Sequence, residues 1–201
     1  MTEAPGLHQF WEEFNDLDRD IEYFVTMRLF EGVPAIWPKT IDYVRWRHEV
    51  AKRLSVDPVS IQVVGSARLG YSLNPGKNFK RFDKESDLDI AVVSADLFEL
   101  TWRELRQLIN ARPELNERKS YLRKLVFDEC IALDVVLPQL SYGKDWAYCR
   151  DELIELLGGD LIDREVKYRL YRNHSALRDY QIKGVQMARD RAIEEGFDRA
   201  S

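Results

Sequence analysis

Cysteine is scarce in this chain. Cys130 and Cys149 are its two examples, and they do not form a CxxC pair. That argues against a disulfide scaffold and a cysteine-rich zinc site, and makes the reduced thiols of a cytoplasmic protein the expectation. Histidine is as sparse: His8, His48 and His174 lie far apart, so no histidine-based zinc site is expected. No stretch of about 18 apolar residues occurs, so no transmembrane helix and no membrane partner are expected. The opening MTEAPGLHQFWEEF lacks the basic and apolar regions of a signal peptide. A surplus of positive charge is also missing: the net charge of -5 argues against a general nucleic-acid coat, while leaving room for a local basic patch. Repeats, low-complexity tracts and flexible linkers are absent as well.

What is present reads as a globular domain. The 201 residues are 45% hydrophobic and 32% charged, enough apolar material to bury a core within one domain. Phe10, Phe14, Leu17, Ile21, Phe24 and Val25 recur at helical spacing and predict one amphipathic helix ending near Gly32-Val33-Pro34. Its aromatics, Trp11 among them, read first as packing residues and second as a surface for a protein partner. A second helix opens at Thr40, read as its N-cap, with Ile41, Val44, Ala51 and Leu54 on the inner face. IQVVG predicts a buried strand ending at Gly65, DLDIAVVS a second strand, and ADLFELTWRELRQLI a helix. Between the strands runs a polar loop, Tyr71 to Ser86, with the turn signal Asn74-Pro75-Gly76.

ARPELNERKS then connects to RKLVFDECIALDVVLP, which predicts two strands joined by a tight turn at Asp128-Glu129, the second ended by Pro138. Helices are expected from about Asp145 to Leu157 and from about Arg164 to Glu195. This order predicts an α+β domain, a small mixed sheet flanked by helices with a helical C-terminal part. Its parts would be N-terminal helices over 7–54, a sheet core over 55–140 and C-terminal helices over 145–198.

Three acids stand out. Side chains alternate along a strand, so Asp87, Asp89, Ala91 and Val93 share one face, with the two aspartates about 6–7 Å apart at Cα. Carboxylates so spaced can converge on a hard divalent cation such as Mg²⁺, which takes few protein carboxylates and adds substrate phosphates. Asp134, in CIALDVVLP, is a third acid inside an apolar strand pattern, and a buried charge needs a partner. If its strand lies beside the first, all three acids meet. Upstream, Gly65-Ser66 closes a strand: a glycine lets the backbone approach a phosphate, and backbone N–H groups with the Ser66 hydroxyl can hold its oxygens. Arg68 could reach the same phosphates.

Gly65-Ser66, then Asp87-Leu88-Asp89-Ile90, then Asp134 between Leu133 and Val135 together resemble the DNA polymerase β-type nucleotidyltransferase superfamily. The likeness runs from about Val44 to Pro138. It is nearest to the bacterial members that include the minimal nucleotidyltransferases and the cyclic-oligonucleotide synthases of anti-phage defence. The resemblance implies a polymerase β-like fold and transfer of a nucleoside monophosphate from a nucleoside triphosphate, with loss of pyrophosphate. Ser66 and the Gly65 backbone would hold the β- and γ-phosphates. Asp87 and Asp89 would bind Mg²⁺ or Mn²⁺. Asp134 would complete a metal site and help deprotonate the acceptor hydroxyl. The acceptor stays open among protein, RNA, small molecule and nucleotide, and so does a non-catalytic role as a nucleotide-binding subunit of a larger complex.

The chain departs from the compact members in the longer spacing between Gly65 and Asp87. That loop carries Lys77, Lys80, Arg81 and Lys84 with Phe79 and Phe82 between them, and reads either as a flap over phosphates or acceptor, or as a solvated loop whose phenylalanines pack. Lys80 is the loop cation assigned to the nucleotide. Arg169, with Arg172, Arg178 and Lys183, would face the nucleotide from the C-terminal helix. Arg169 and His174 also show the R-x4-H spacing of HEPN-like ribonucleases, a minor rival reading.

Overall fold

Alternating apolar and polar residues build the frame of the molecule. The structure, a computed structural model, describes residues 6–111, 119–157 and 164–197. Four strands, β1 (Ile61–Val64), β2 (Leu88–Val93), β3 (Cys130–Ala132) and β4 (Val166–Tyr171), form one sheet in the order β1-β2-β4-β3. β2 pairs antiparallel to β1 and parallel to β4, while β3 pairs antiparallel to β4, so the sheet is mixed. The helices are α1 (Leu7–Asp16), α2 (Ile21–Phe24), α3 (Thr40–Leu54), α4 (Ser66–Leu69), α5 (Ala95–Ala111), α6 (Lys119–Phe127), α7 (Gly143–Leu157) and α8 (His174–Glu194). The α+β class with a small mixed sheet is as expected.

One sheet face is wholly apolar. Ile61, Val63, Leu88, Ile90, Val92, Tyr168 and Leu170 pack there against α3, α5 and α7, with Trp46, Leu105 and Trp146 among the residues they meet. On the other face Val64, Ala91, Val93, Cys130 and Tyr171 meet Ala176 and Leu177 at the start of α8. Burial raises the thiols of both Cys130 and Cys149 to about 11, so both stay protonated at neutral pH. Among the described residues no helix is long and apolar enough to cross a membrane.

Several expected elements form differently. The first helix is not continuous: Asp18 and Arg19 take left-handed backbone angles, and Asp20 caps a new helix by accepting from the Tyr23 N–H at 2.8 Å. α2 then widens into a π-helical turn over Val25–Phe30. Phe10, Trp11 and Phe14 are buried with Phe24, Tyr71, Phe79 and the α8 residues Val185 and Ala188. The aromatic surface offered to a protein partner is therefore filled by the chain itself. In α3, Thr40 is the first helical residue and Lys39 the cap. Its inner face is Tyr43, Trp46, Val50, Ala51 and Leu54, while Ile41 is exposed.

The segment expected as the first of two strands after residue 120 is α6. Straight-chain Leu, Lys and Arg favour a helix there, and strand pairing begins only at Cys130, after Glu129 takes a left-handed angle in the expected turn. The connection expected over residues 111–120 lies mostly outside the described residues. The long C-terminal helix is a strand followed by a helix. VKYRLY alternates over its first five residues, pairs on both edges as β4, and yields to α8 where Asn173 caps by accepting from the Ala176 N–H at 2.8 Å.

Candidate functional site

Asp87 and Asp89 lie at the start of β2, with Asp89 on the sheet face whose Ala91 and Val93 meet α8. The register sets Val64 opposite Asp89 and Asp89 opposite Lys167; one pair further along, Ala91 faces Arg169. Asp87 precedes β2 by one residue. Its Oδ2 accepts from Lys167 Nζ at 2.8 Å, and Lys77 Nζ from the loop stands 3.6 Å away.

Asp89 is placed very differently. Among the described residues no hydrogen bond or ion pair reaches its carboxylate. Burial raises its pKa above the ordinary carboxylate value; Arg169 opposes that rise and the like charge of Asp87 adds to it. A half-buried carboxylate without a protein partner beside a second carboxylate is an acceptor set that a divalent cation would satisfy.

Gly65 makes room for it. Its backbone (φ 66°, ψ -148°) lies in a region essentially confined to glycine, and a Cβ there would stand 2.8 Å from Asp89 Oδ2. The strand-end glycine thus sets how closely backbone and carboxylate approach. Gly65→Ala is expected to displace the Asp89 carboxylate and cost about 1–3 kcal/mol in backbone strain. Thermal melts together with Mn²⁺ titration check this: a variant with wild-type melting and wild-type metal affinity would refute the role. Ser66, half-buried, opens α4 directly beside this contact.

The two cations expected at the phosphates, Arg68 and Lys80, make their contacts away from the two aspartates. Arg68 is buried, and its guanidinium donates to the carbonyls of Arg28 at 2.9 Å, Gly32 at 3.1 Å and Glu31. It closes the end of the π-helical turn instead of facing the acids, because those terminal carbonyls have no helical donors of their own. Lys80 is exposed and turned to the acids of its own loop, Asp83 at 2.8 Å and Glu85 at 3.3 Å.

The loop itself is pinned. Phe79 is buried in the N-terminal core, Gly6 donates to the Phe79 carbonyl at 3.0 Å, and Arg164 stacks on Phe82 with its guanidinium 4.4 Å from the ring centre. Arg164 also donates to the carbonyls of Ser86, at 2.9 Å, and Asp83. The packing reading of the phenylalanines holds, and this clamp fixes the chain immediately before Asp87.

Arg169 faces the site, but from β4 and not from a helix. It stacks on Tyr180 of α8 at 4.6 Å and donates to the Tyr180 hydroxyl. Arg172 and Lys183 are engaged elsewhere, with Glu129 and with Asp128. Arg169 lies in β4 and His174 opens α8, so the two ends of the R-x4-H spacing fall on different elements.

Asp134 does not join the other acids. β3 ends at Ala132, the chain turns through a single 3-10 turn over Leu133–Val135 that buries Leu133, and the Asp134 side chain is exposed. β4 lies between β3 and β2, and where a third acid was expected the row through Asp89 continues with Lys167. Among the described residues no group of three or more His, Cys, Asp and Glu side chains converges. Lys167 is the site residue missing from the sequence expectations, and the alternation of VKYRLY is the signal that would have placed it. Comparison with known proteins gives no assignment: no family model, curated protein or solved structure matches the chain.

Proposed function

We propose that this protein is a Mg²⁺-dependent nucleotidyltransferase of polymerase β-like fold that moves a nucleoside monophosphate from a nucleoside triphosphate to a hydroxyl acceptor. The observation that carries this reading is Asp89: half-buried, without a hydrogen-bonding or ionic partner among the described residues, and packed against a strand-end glycine followed by Ser66. Two carboxylates at this spacing fit a hard cation with oxygen ligands, and the flanking lysines fit an anionic substrate. Asp87 and Asp89 would hold Mg²⁺ or Mn²⁺, which when bound supplies neutralisation of triphosphate and pyrophosphate charge.

The chain's own groups do the positioning. The Ser66 hydroxyl and Gly65 backbone receive phosphate oxygens, Lys77 adds positive charge from the pinned loop, and Arg169, held by Tyr180, faces the substrate from β4. The acceptor oxygen bonds to the α-phosphorus as the α–β bridging bond breaks, and its electron pair leaves with pyrophosphate. Such a site works by orientation and electrostatics. The acceptor's proton has no assigned base, because Asp134 stands apart.

That displacement of Asp134 favours one second reading, a nucleotide-binding subunit that does not transfer. Pyrophosphate release from each of the four nucleoside triphosphates with Mg²⁺ or Mn²⁺, with mass spectrometry of all products, separates the two. The transferase is expected to release pyrophosphate, and Asp87→Asn to lower the rate by at least about 100-fold. Metal-dependent nucleotide binding without release would sustain the second reading and sink the first.

A further inference from the structure

β4 contributes a cation to the acidic row. Lys167 is the cross-strand neighbour of Asp89, yet its ammonium group lies 2.8 Å from Asp87 Oδ2. Lys77 approaches the same oxygen at 3.6 Å. Positive charge is therefore concentrated on Asp87, while Asp89 beside it has no ionic partner among the described residues. The Lys167 side chain is about a third exposed and also lies 3.3 Å from Glu165, at the mouth of the site. A lysine so placed is a mobile point charge on a flexible stem: its pairing adds little net stability, and it can exchange one anion for another. Arg169 cannot do the same, because Tyr180 holds its guanidinium.

We propose that Lys167 is an internal counter-ion. It occupies Asp87 in the metal-free protein and passes to a substrate phosphate when the metal–nucleotide complex enters. This rests on the metal-dependent reading above. A free divalent ion must displace the ammonium from Asp87 and leave it only the solvent-exposed Glu165 carboxylate, 3.3 Å away. A metal–nucleotide complex brings the anion that receives it. The site therefore discriminates against the bare ion and favours the complex, so metal and nucleotide bind as a coupled pair.

The test is Mn²⁺ binding, followed by electron paramagnetic resonance, to wild type, Lys167→Met and Lys167→Arg, with and without an α,β-methylene nucleoside triphosphate analogue. Methionine keeps the apolar stem and removes the charge; arginine keeps the charge. Lys167→Met is expected to bind Mn²⁺ alone about tenfold more tightly and the Mn²⁺–analogue complex about tenfold more weakly, with Lys167→Arg near wild type. Both affinities falling together, or neither moving, would overturn the exchange and leave a plain ion pair. Circular dichroism melts establish that each variant is folded. Asp89→Asn separates the two failures: if wild type binds no Mn²⁺ in either condition, or binds it independently of Asp89, the metal site itself falls and the exchange with it.

Discussion

Asp89→Asn is expected to abolish nucleotide transfer and, in the same protein, to raise the melting temperature without metal. The two effects have one origin. The half-buried carboxylate has no hydrogen-bonding or ionic partner among the described residues, and desolvation raises its pKa in the folded state. The folded protein therefore holds that proton more tightly than the unfolded chain does. The resulting penalty is absent below the ordinary carboxyl range and grows as pH rises toward the folded value, so metal-free stability falls across that window. A neutral amide of the same shape lacks the penalty.

At neutral pH the gain is read as a higher melting temperature of the metal-free variant than of the metal-free wild type. Mg²⁺ or Mn²⁺ should reverse the order: saturation at 100 times the dissociation constant stabilises the wild type by about 2.7 kcal/mol and leaves the variant unchanged. Melting curves at two pH values, with and without metal, read all of this. A variant less stable than wild type in the absence of metal would mean that Asp89 has a structural partner and is not held in reserve for a cation.

The second large effect belongs to Arg68, and it is one of folding. Arg68→Met removes the donors that close the carbonyls of Arg28, Glu31 and Gly32, and strands those acceptors in a buried place. The expected loss is about 3 kcal/mol, or about 6–12 °C in melting temperature. Nucleotide affinity measured well below the melt should hardly change. An unchanged melting temperature with weakened nucleotide binding would restore Arg68 to the phosphates.

Much of this was legible in the residues. The strands Ile61–Val64 and Leu88–Val93, the helix after them and the shared face of Asp87 and Asp89 follow from side-chain alternation and turn chemistry. The misreadings share a cause. Between Arg164 and Glu195 a strand and a helix are separated by only Arg172 and the cap Asn173, and the apolar residues of both can be strung into a single helical pattern. That hid β4, and with it Lys167. Asp134 misled for a related reason: an acid between Leu133 and Val135 matches a strand, but β3 has only three paired residues before the chain turns to bury Leu133. Arg68 is polar and follows a strand-end glycine, so nothing local reveals that a segment 36 residues earlier would claim it. Burial of a charge against distant carbonyls is a tertiary event that no local pattern encodes.

The place of β4 in the sheet also bears on how the molecule is made. It lies between β2 and β3, yet it is the last of the described strands to leave the ribosome. Until residue 171 has emerged, β2 presents an open apolar edge and β3 has no strand to pair with. Closing the sheet joins Val93 to Tyr171, a contact of high sequence separation that slows folding. The nascent chain must therefore carry an unpaired edge from the completion of β2 at Val93 until Tyr171 has emerged. That interval is when it is most exposed to pairing with other chains and most dependent on whatever shields such edges in the cell.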